Sequence, residues 1–375
     1  GRDGLKPQPF AVRFYVAHTR NGYEAMPGGL AMTVDPERAV ALSDFETIDV
    51  STRYEVFLTL GLAHIRSGSH KRGKDACEQA AEIARNLKDA QRMAQAALTH
   101  GSELGEAQHD RRLIALLEEA LAVLPPDSTP LRARAMARLA AALQPSADPT
   151  HPIAMAKEAL AMARQYADPD LLRDVLLSTC SALAGFAHPA ERKPLDEEHV
   201  ALAQQSFDLV QAYRGYLRLI FDCLEIGNIA EADRHIAGVA ALSKRLRQPQ
   251  YQWKVPLIGA MKAIMAGQFA QAKELHQEAM ELAPKAQDFI QNSLRLHEWQ
   301  RLRISEQPDE ALAVFVQMRA YLSRLPQFFQ TVISVMESVT YAQLGDRSKA
   351  RAALDRFSSQ PRRMDFFFGF LCQLA

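Results

Sequence analysis

Between residues 201 and 281 one pattern of apolar and polar positions is written twice. Leu224, Glu225, Ile226, Gly227, Asn228, Ile229, Ala230, Glu231 and Ala232 are answered by Ile264, Met265, Ala266, Gly267, Gln268, Phe269, Ala270, Gln271 and Ala272. In both copies a helical apolar stripe ends at a glycine, and an apolar residue followed by two alanines opens the next helix. Gly227 and Gly267 lie 40 residues apart, a period typical of two-helix solenoid repeats. Ala232, Ala272, Ala311 and Ala350 carry the spacing onward in steps of 40, 39 and 39 residues, which predicts a stack of helical hairpins.

The same periodicity begins at residue 52. Apolar stripes predict helices over 52–65, 74–87, 91–99, 113–124, 131–143, 153–166 and 171–184. An apolar run from Val200 to Val210 and a heavy face from Tyr213 to Phe221 lead into the Gly227 corner. Further helices are predicted over 236–246, 253–265, 272–282, 289–302, 312–322 and 331–344, with another opening at Ala350. Gly68, Gly101 to Gly105, Pro125, Pro126, Pro145, Pro149, Pro249 and Gly345 punctuate them. Residues 185–194, with Phe186, His188 and Pro189, are expected to form a longer loop, a neutral extension of one hairpin. Ala76, Cys77, Ala80, Ala81 and Ala84 share the inner face of the second helix, and small residues there permit close approach. Residues 51–375 are therefore expected to be one array in which each unit packs on its neighbours.

Residues 1–50 follow another pattern. Phe10 to Val16 is a short β-rich run, Asn21-Gly22 is a hairpin signal, Tyr23 to Met26 begins a returning strand, and Leu30 to Val34 resumes it. A short β-hairpin is expected, and it needs the helices or further sheet to be stable. The text Leu5, Lys6, Pro7, Gln8, Pro9, Phe10, Ala11, Val12, Arg13, Phe14, with Gly22, Tyr23, Glu24, Ala25, Met26, Pro27, Gly28, Gly29 and Leu30, resembles the closing segment of circularly permuted ATP-grasp proteins. Those proteins occur beside peptide-ligase-like genes and are often joined to helical domains. The resemblance implies that Arg13, Gly28 and Gly29 lie toward a nucleotide, with ATP and Mg as cofactors where the activity is retained. The acidic metal-binding residues of such a unit have no counterpart in residues 35–375, so the segment is expected to be inactive by itself.

The array carries a second resemblance. Leu116 to Leu124 with Pro125, Asp127 and Ser128, then Pro130, Leu131, Arg132, Ala133 and Arg134, are joined by Arg247, Gln248, Pro249, Tyr251, Trp253 and the two glycine corners. This text is similar to the tetratricopeptide-like helical part of large bacterial regulators, in which a signal-transducing ATPase is joined to such repeats and to a DNA-binding or nucleotide-cyclase module. The resemblance implies a mainly α fold, a tetratricopeptide-like α-α superhelical solenoid, serving signal transduction or transcription regulation as a sensing or scaffolding part. Neither a P-loop nor a helix-turn-helix text is present in these residues.

Composition acts mainly by exclusion. Forty-four basic residues balance 44 acidic ones, so no global field draws the chain to nucleic acid or to an anionic membrane. Nucleic-acid binding remains the weakest alternative, on a basic rim of Lys71, Arg72, Lys74, Arg111 and Arg112. The 4 cysteines show no CxxC spacing and are expected to be core residues in a reducing compartment, which places the chain in the cytoplasm. No metal is expected: His64 and His70, His100 and His109, and His188 and His199 flank turns or loops as surface or capping residues. HExxH, GxSxG and GxGxxG are all missing, and no catalytic residue is assigned. Glu118-Glu119 and Glu197-Glu198 diverge on their helices and are expected to be solvated.

A non-enzymatic protein-interaction or effector-sensing scaffold is thus the leading expectation, with an ATP-dependent ligase-like protein as the enzymatic alternative. Tyr213, Tyr216, Arg218 and Trp253 are the expected ligand contacts, lining a groove between stacked hairpins. The partner is expected to be a protein, a peptide, an attached regulatory domain or a small effector, and the array needs no cofactor. Phe366, Phe367, Phe368, Phe370 and Leu371 are expected to pack on the last repeat or to form a homodimer contact.

Overall fold

A computed structural model describes residues 49–102, 110–127, 130–146, 148–283, 288–323 and 327–358. The expected β-hairpin with Arg13, Gly28 and Gly29, and the C-terminal phenylalanines, lie outside these residues. The described residues are helical throughout. Hairpins one to four pair α1 (Val50–Arg66) with α2 (His70–Leu87), α3 (Ala90–His100) with α4 (Arg111–Val123), α5 (Pro130–Ala142) with α6 (Thr150–Ala163), and α7 (Pro169–Leu183) with α8 (Pro189–Gln205). Hairpin five pairs α9 (Leu209–Glu225) with α10 (Ile229–Leu246), and a single turn, α11 (Pro249–Gln252), follows it. Hairpins six to eight pair α12 (Lys254–Met265) with α13 (Phe269–Leu282), α14 (Asp288–Ile304) with α15 (Pro308–Leu322), and α16 (Gln327–Gln343) with α17 (Arg347–Ser358). This is a tetratricopeptide-like helical solenoid.

The corners explain the 39- to 40-residue rhythm. At each one a backbone N–H closes back on the carbonyl five residues earlier, as in Asn228 to Cys223, Gln268 to Ala263, Gln307 to Leu302 and Asp346 to Tyr341, at 2.8 to 2.9 Å. That bond requires a left-handed residue just before it. Gly227, Gly267 and Gly345 supply it without strain, whereas Glu306 adopts the same conformation with a side chain. The next helix then opens with Ala232, Ala272, Ala311 and Ala350 donating to Asn228, Gln268, Gln307 and Asp346. Ala232, Ala272 and Ala311 are fully buried, so a larger side chain would lever the hairpins apart. Aspartates cap other helices: Asp89, Asp110, Asp168 and Asp208 each accept a first-turn N–H that has no partner within the helix.

Equivalent helices of neighbouring hairpins are tied by polar bonds at about one period. Tyr54 donates to the Arg92 carbonyl at 2.8 Å, Arg134 to Asp174 at 3.2 Å, and Trp299 to the Thr340 hydroxyl at 3.0 Å. On the second helices, Arg85 pairs with Glu119 at 2.5 Å and Arg164 with Glu198 at 2.6 Å. Between these ties the first hairpins pack small residues, as their alanine stripes predict. Ala80, Ala81, Ala84, Ala94, Ala96 and Ala97 are all fully buried in one cluster with Leu116 and Leu117.

The backbones of α1 and α2 approach one another closely at Gly61 and Gly73. A Cβ placed on Gly73 would stand 2.8 Å from the Gly61 carbonyl oxygen and 2.9 Å from the Ile65 nitrogen. Those are backbone atoms and cannot rotate away. Gly73→Ala is expected to cost about 1–3 kcal/mol by forcing the two helices apart, measured as a shift of the urea midpoint.

Two sequence expectations need correction. The supposed loop at 185–194 ends by Pro189: His188 caps α8, its Nδ1 accepting the Ala190 N–H at 3.2 Å, and Pro194 sits inside the helix. Phe186 from this corner packs against the cluster holding Leu296, Trp299, Phe315 and Met336, so it links hairpin four to hairpins seven and eight and is not a neutral extension. Nor does a helix run unbroken from Val200 to Val210. Phe207 takes a left-handed conformation at φ 56°, and Asp208 caps a new helix.

Candidate partner-binding surface

The four expected ligand contacts do not converge. Tyr213 is 1% exposed and donates its hydroxyl to the Tyr251 carbonyl at 2.7 Å, with the two rings edge to face at 5.2 Å. Trp253 is also buried, its Nε1 donating to the Gln250 carbonyl at 3.1 Å, in a cluster with Ala279, Ile290 and Leu294. Tyr216 is half-buried: its hydroxyl accepts from Gln204 at 2.8 Å and its ring lies 5.6 Å from that of His235. Arg218 faces the opposite way, toward α7 and α8, and its Nε donates to Asp196 at 2.5 Å.

Arg218 opens onto a polar core that charge patterning does not reveal. His199 is fully buried, with Nε2 3.0 Å from the Gln211 amide oxygen and Nδ1 3.4 Å from Arg218 Nη2. The Gln211 amide nitrogen donates to Asp174 at 3.2 Å, so its oxygen is left to accept from His199 Nε2–H, and Nδ1 becomes the acceptor for Arg218. Asp174 also holds Arg134 and Arg173. Burial, then the charge of Arg218, pushes the His199 pKa down to about 3, with Arg173 and Arg214 adding to it. Such an imidazole is neutral at physiological pH and already hydrogen-bonded on both sides, which makes it a poor proton carrier.

A second buried group lies one turn away, where Arg192 bonds Asp222 at 2.6 Å and Glu225 at 2.6 Å. Burial, then the neighbouring Asp196 charge, raises the Asp222 pKa to about 7. Both groups bind hairpin four to hairpin five, and the Cys180 thiol beside Asp196 and Arg218 is fully buried, with burial pushing its pKa well up, so it stays a protonated thiol and a poor nucleophile. The expectation of surface histidines is overturned here: His199, His100, His276 and His297 are all buried. His188 keeps its expected role as a cap.

Between α13 and α14 lies an open cleft of about 510 Å³, and Glu274, Glu278, Glu281 and Glu298 line it together with Lys273 and His276. Glu274, Glu278 and Glu281 are exposed and recur every three or four residues, so they form one acidic row on α13. Like charges at that spacing oppose the helix by a few tenths of a kcal/mol. Glu298 is held by Arg301 through two bonds at 2.7 and 2.8 Å. His276 is 4% exposed, its Nδ1 has no hydrogen-bond partner, and its ring stacks on that of His297 at 5.3 Å with an interplanar angle of 5°. The cleft thus offers a row of carboxylates at its rim, with His276 turning Nε2 toward Glu298 at 3.8 Å. Sequence reading passed over it because no glutamate or histidine in it belongs to a recognisable motif.

No protein-family model matches the chain, and no curated protein matches it in sequence. Among solved structures, the fold is similar to a Rap protein complexed with competence and sporulation factor, at 13% identity and a TM-score of 0.53, covering 83% of this chain and 82% of that one. It is similar at lower scores to BtubC (BKLC) from P. vanneervenii, at 16% identity and a TM-score of 0.37, covering 73% of this chain and 96% of that one. The Cut9–Hcn1 hetero-tetramer of the APC/C gives 11% identity and a TM-score of 0.34, covering 90% of this chain and 69% of that one. Among the described residues no helix is long and apolar enough to cross a membrane.

Proposed function

We propose that the array is a non-enzymatic regulatory scaffold that recognises a protein or peptide partner by docking a basic segment of it in the cleft between α13 and α14. The observation that carries this reading is the acidic row of Glu274, Glu278 and Glu281 along the cleft, joined there by Glu298. Lysine and arginine side chains complement the three exposed carboxylates of this row, which Lys273 alone does not balance. The complex of the Rap protein with competence and sporulation factor supports a partner-binding role for a stack of this kind. Tyr216 is a second contact on α9. Tyr213, Arg218 and Trp253, committed to internal bonds, hold the surrounding helices in place.

Fluorescence anisotropy with a labelled lysine- and arginine-rich peptide, and with its aspartate- and glutamate-rich counterpart, tests the proposal. Only the basic peptide is expected to bind, with affinity falling as salt rises. Glu274→Lys with Glu278→Lys is expected to weaken it at least about tenfold through charge reversal. Equal binding of both peptides, or no effect of the double substitution, would overturn the reading.

A further inference from the structure

Cys223 on α9 meets Glu231 and His235 on α10 where hairpin five turns. The cysteine sulfur, a carboxylate oxygen and a ring nitrogen all lie within 4.8 Å of one another, with His235 Nε2 3.8 Å from Glu231 Oε1. The corner itself brings them together. The Asn228 N–H closes on the Cys223 carbonyl at 2.8 Å, and the Asn228 side chain then accepts the Glu231 N–H at 3.2 Å and donates to Glu231 Oε2 at 2.6 Å. Glu231 and His235 stand one helical turn apart on the same face. Cys223 is fully buried, and His235 Nε2 is a buried nitrogen with no hydrogen-bond partner.

We propose that Cys223, Glu231 and His235 form a zinc site, with water as the fourth ligand. Zinc bonds of about 2.3 Å to sulfur and about 2.0–2.2 Å to nitrogen and oxygen, at tetrahedral angles, place donor atoms roughly 3.3–3.7 Å apart. The observed separations, all within 4.8 Å, need side-chain adjustments of at most about 1.5 Å to reach that range. Thiolate with imidazole and carboxylate suits zinc and not the hard, oxygen-seeking magnesium or calcium. Binding releases the thiol proton to solvent, and the thiolate and carboxylate together balance the charge of the ion. Lys193 presently holds Glu231 Oε1 at 3.0 Å and Glu197 at 2.5 Å. A cation is thus already favoured at this carboxylate, and on zinc binding the ammonium keeps Glu197. The ion would staple α9 to α10 beside Tyr216, whose ring faces His235.

Titration of the full chain with cobalt(II), followed by displacement with zinc, tests the site. One equivalent of cobalt is expected to give a thiolate-to-metal charge-transfer band. That band is expected to vanish in Cys223→Ser and to persist in Cys77→Ser and Cys180→Ser. His235→Gln, a change at a part-exposed helix position, is expected to weaken binding by about a hundredfold or more, and Lys193→Gln to tighten it. Absence of the band from the unaltered chain, or its survival in Cys223→Ser, would overturn the proposal. If Cys223→Ser fails to fold, an unchanged cobalt affinity in His235→Gln would do so.

Discussion

Arg192→Ala is expected to destabilise the protein by about 3–5 kcal/mol, because it strands a carboxylate inside the array. The side chains of Arg192 and Asp222 are each 3% exposed, and their bond at 2.6 Å is the principal compensation for removing both from water. Asp222 Oδ2 already lacks a hydrogen-bond partner. Without the guanidinium, Asp222 and Glu225 would lose the cation that bonds them both, while Asp196 beside them keeps Arg218. Breaking one side of such a pair costs far more than replacing both, since attraction and desolvation cancel only when the pair is whole. Arg192→Met with Asp222→Leu is therefore expected to recover most of the loss. Arg192 holds the Asp222 pKa down, so in the single variant Asp222 takes up its proton at higher pH than in wild type, and the deficit should narrow as pH falls from 8 toward 7 and then level off by pH 6. Urea unfolding at these pH values reads all three effects. A single-variant loss below about 1 kcal/mol would mean that water reaches this pair freely.

That ion pair marks the limit of what the sequence discloses. The glycine corners at 227, 267 and 345 were legible because a left-handed residue at a helix end selects glycine and leaves a letter in the text. Lys88, Phe207, Arg247 and Glu306 adopt the same conformation with a side chain in place; the corners at Lys88, Arg247 and Glu306 still show through Asp89, Pro249 and the spacing to Ala311, whereas no letter in the text marks Phe207. The break between α8 and α9 therefore leaves no mark in the text, whereas the Gly227 corner does. Alanine stripes and the 39- to 40-residue step betrayed the stacking, since both arise from the period of the helix and the geometry of its corners. The interior polar groups leave no such trace. Arg192, Asp196, His199 and Asp222 sit where a lone helix would show a solvated face, and only the neighbouring hairpin turns that face inward. The candidate cleft is obscure for the same reason, because Glu298 and His276 come together from different hairpins. Expected ligand residues fared differently according to chemistry: Tyr213 and Trp253 found internal carbonyls for their polar atoms and sank into the core.

Acid is expected to weaken the fold well above the pH at which ordinary exposed carboxylates are protonated, through His199 and His297. Each titrates near 6.5 when free and is pushed down to about 3 in the folded chain, first by burial. For His199 the charges of Arg218, Arg173 and Arg214 add to burial, with Gln211 opposing. For His297, His276 and Arg301 add and Glu298 opposes. Between pH 6.5 and 3 the unfolded chain binds a proton at each ring and the folded chain does not, so stability is complete above that window and falls as pH is lowered through it. Each imidazole contributes a slope of about 1.4 kcal/mol per pH unit, or roughly 2 kcal/mol lost at pH 5. Asp222 works in the opposite direction. Its folded pKa of about 7 lies above the ordinary 3.8, so the folded chain binds the extra proton and gains stability as pH falls from 7 toward 4. The wild-type profile should therefore decline less than the two histidines alone require, and the decisive quantity is a difference between proteins. From pH 7 to pH 5, wild type should lose about 4 kcal/mol more than His199→Gln with His297→Gln, whatever the absolute stability of that variant. Parallel profiles for the two proteins would show that both rings reach solvent and charge in the folded state.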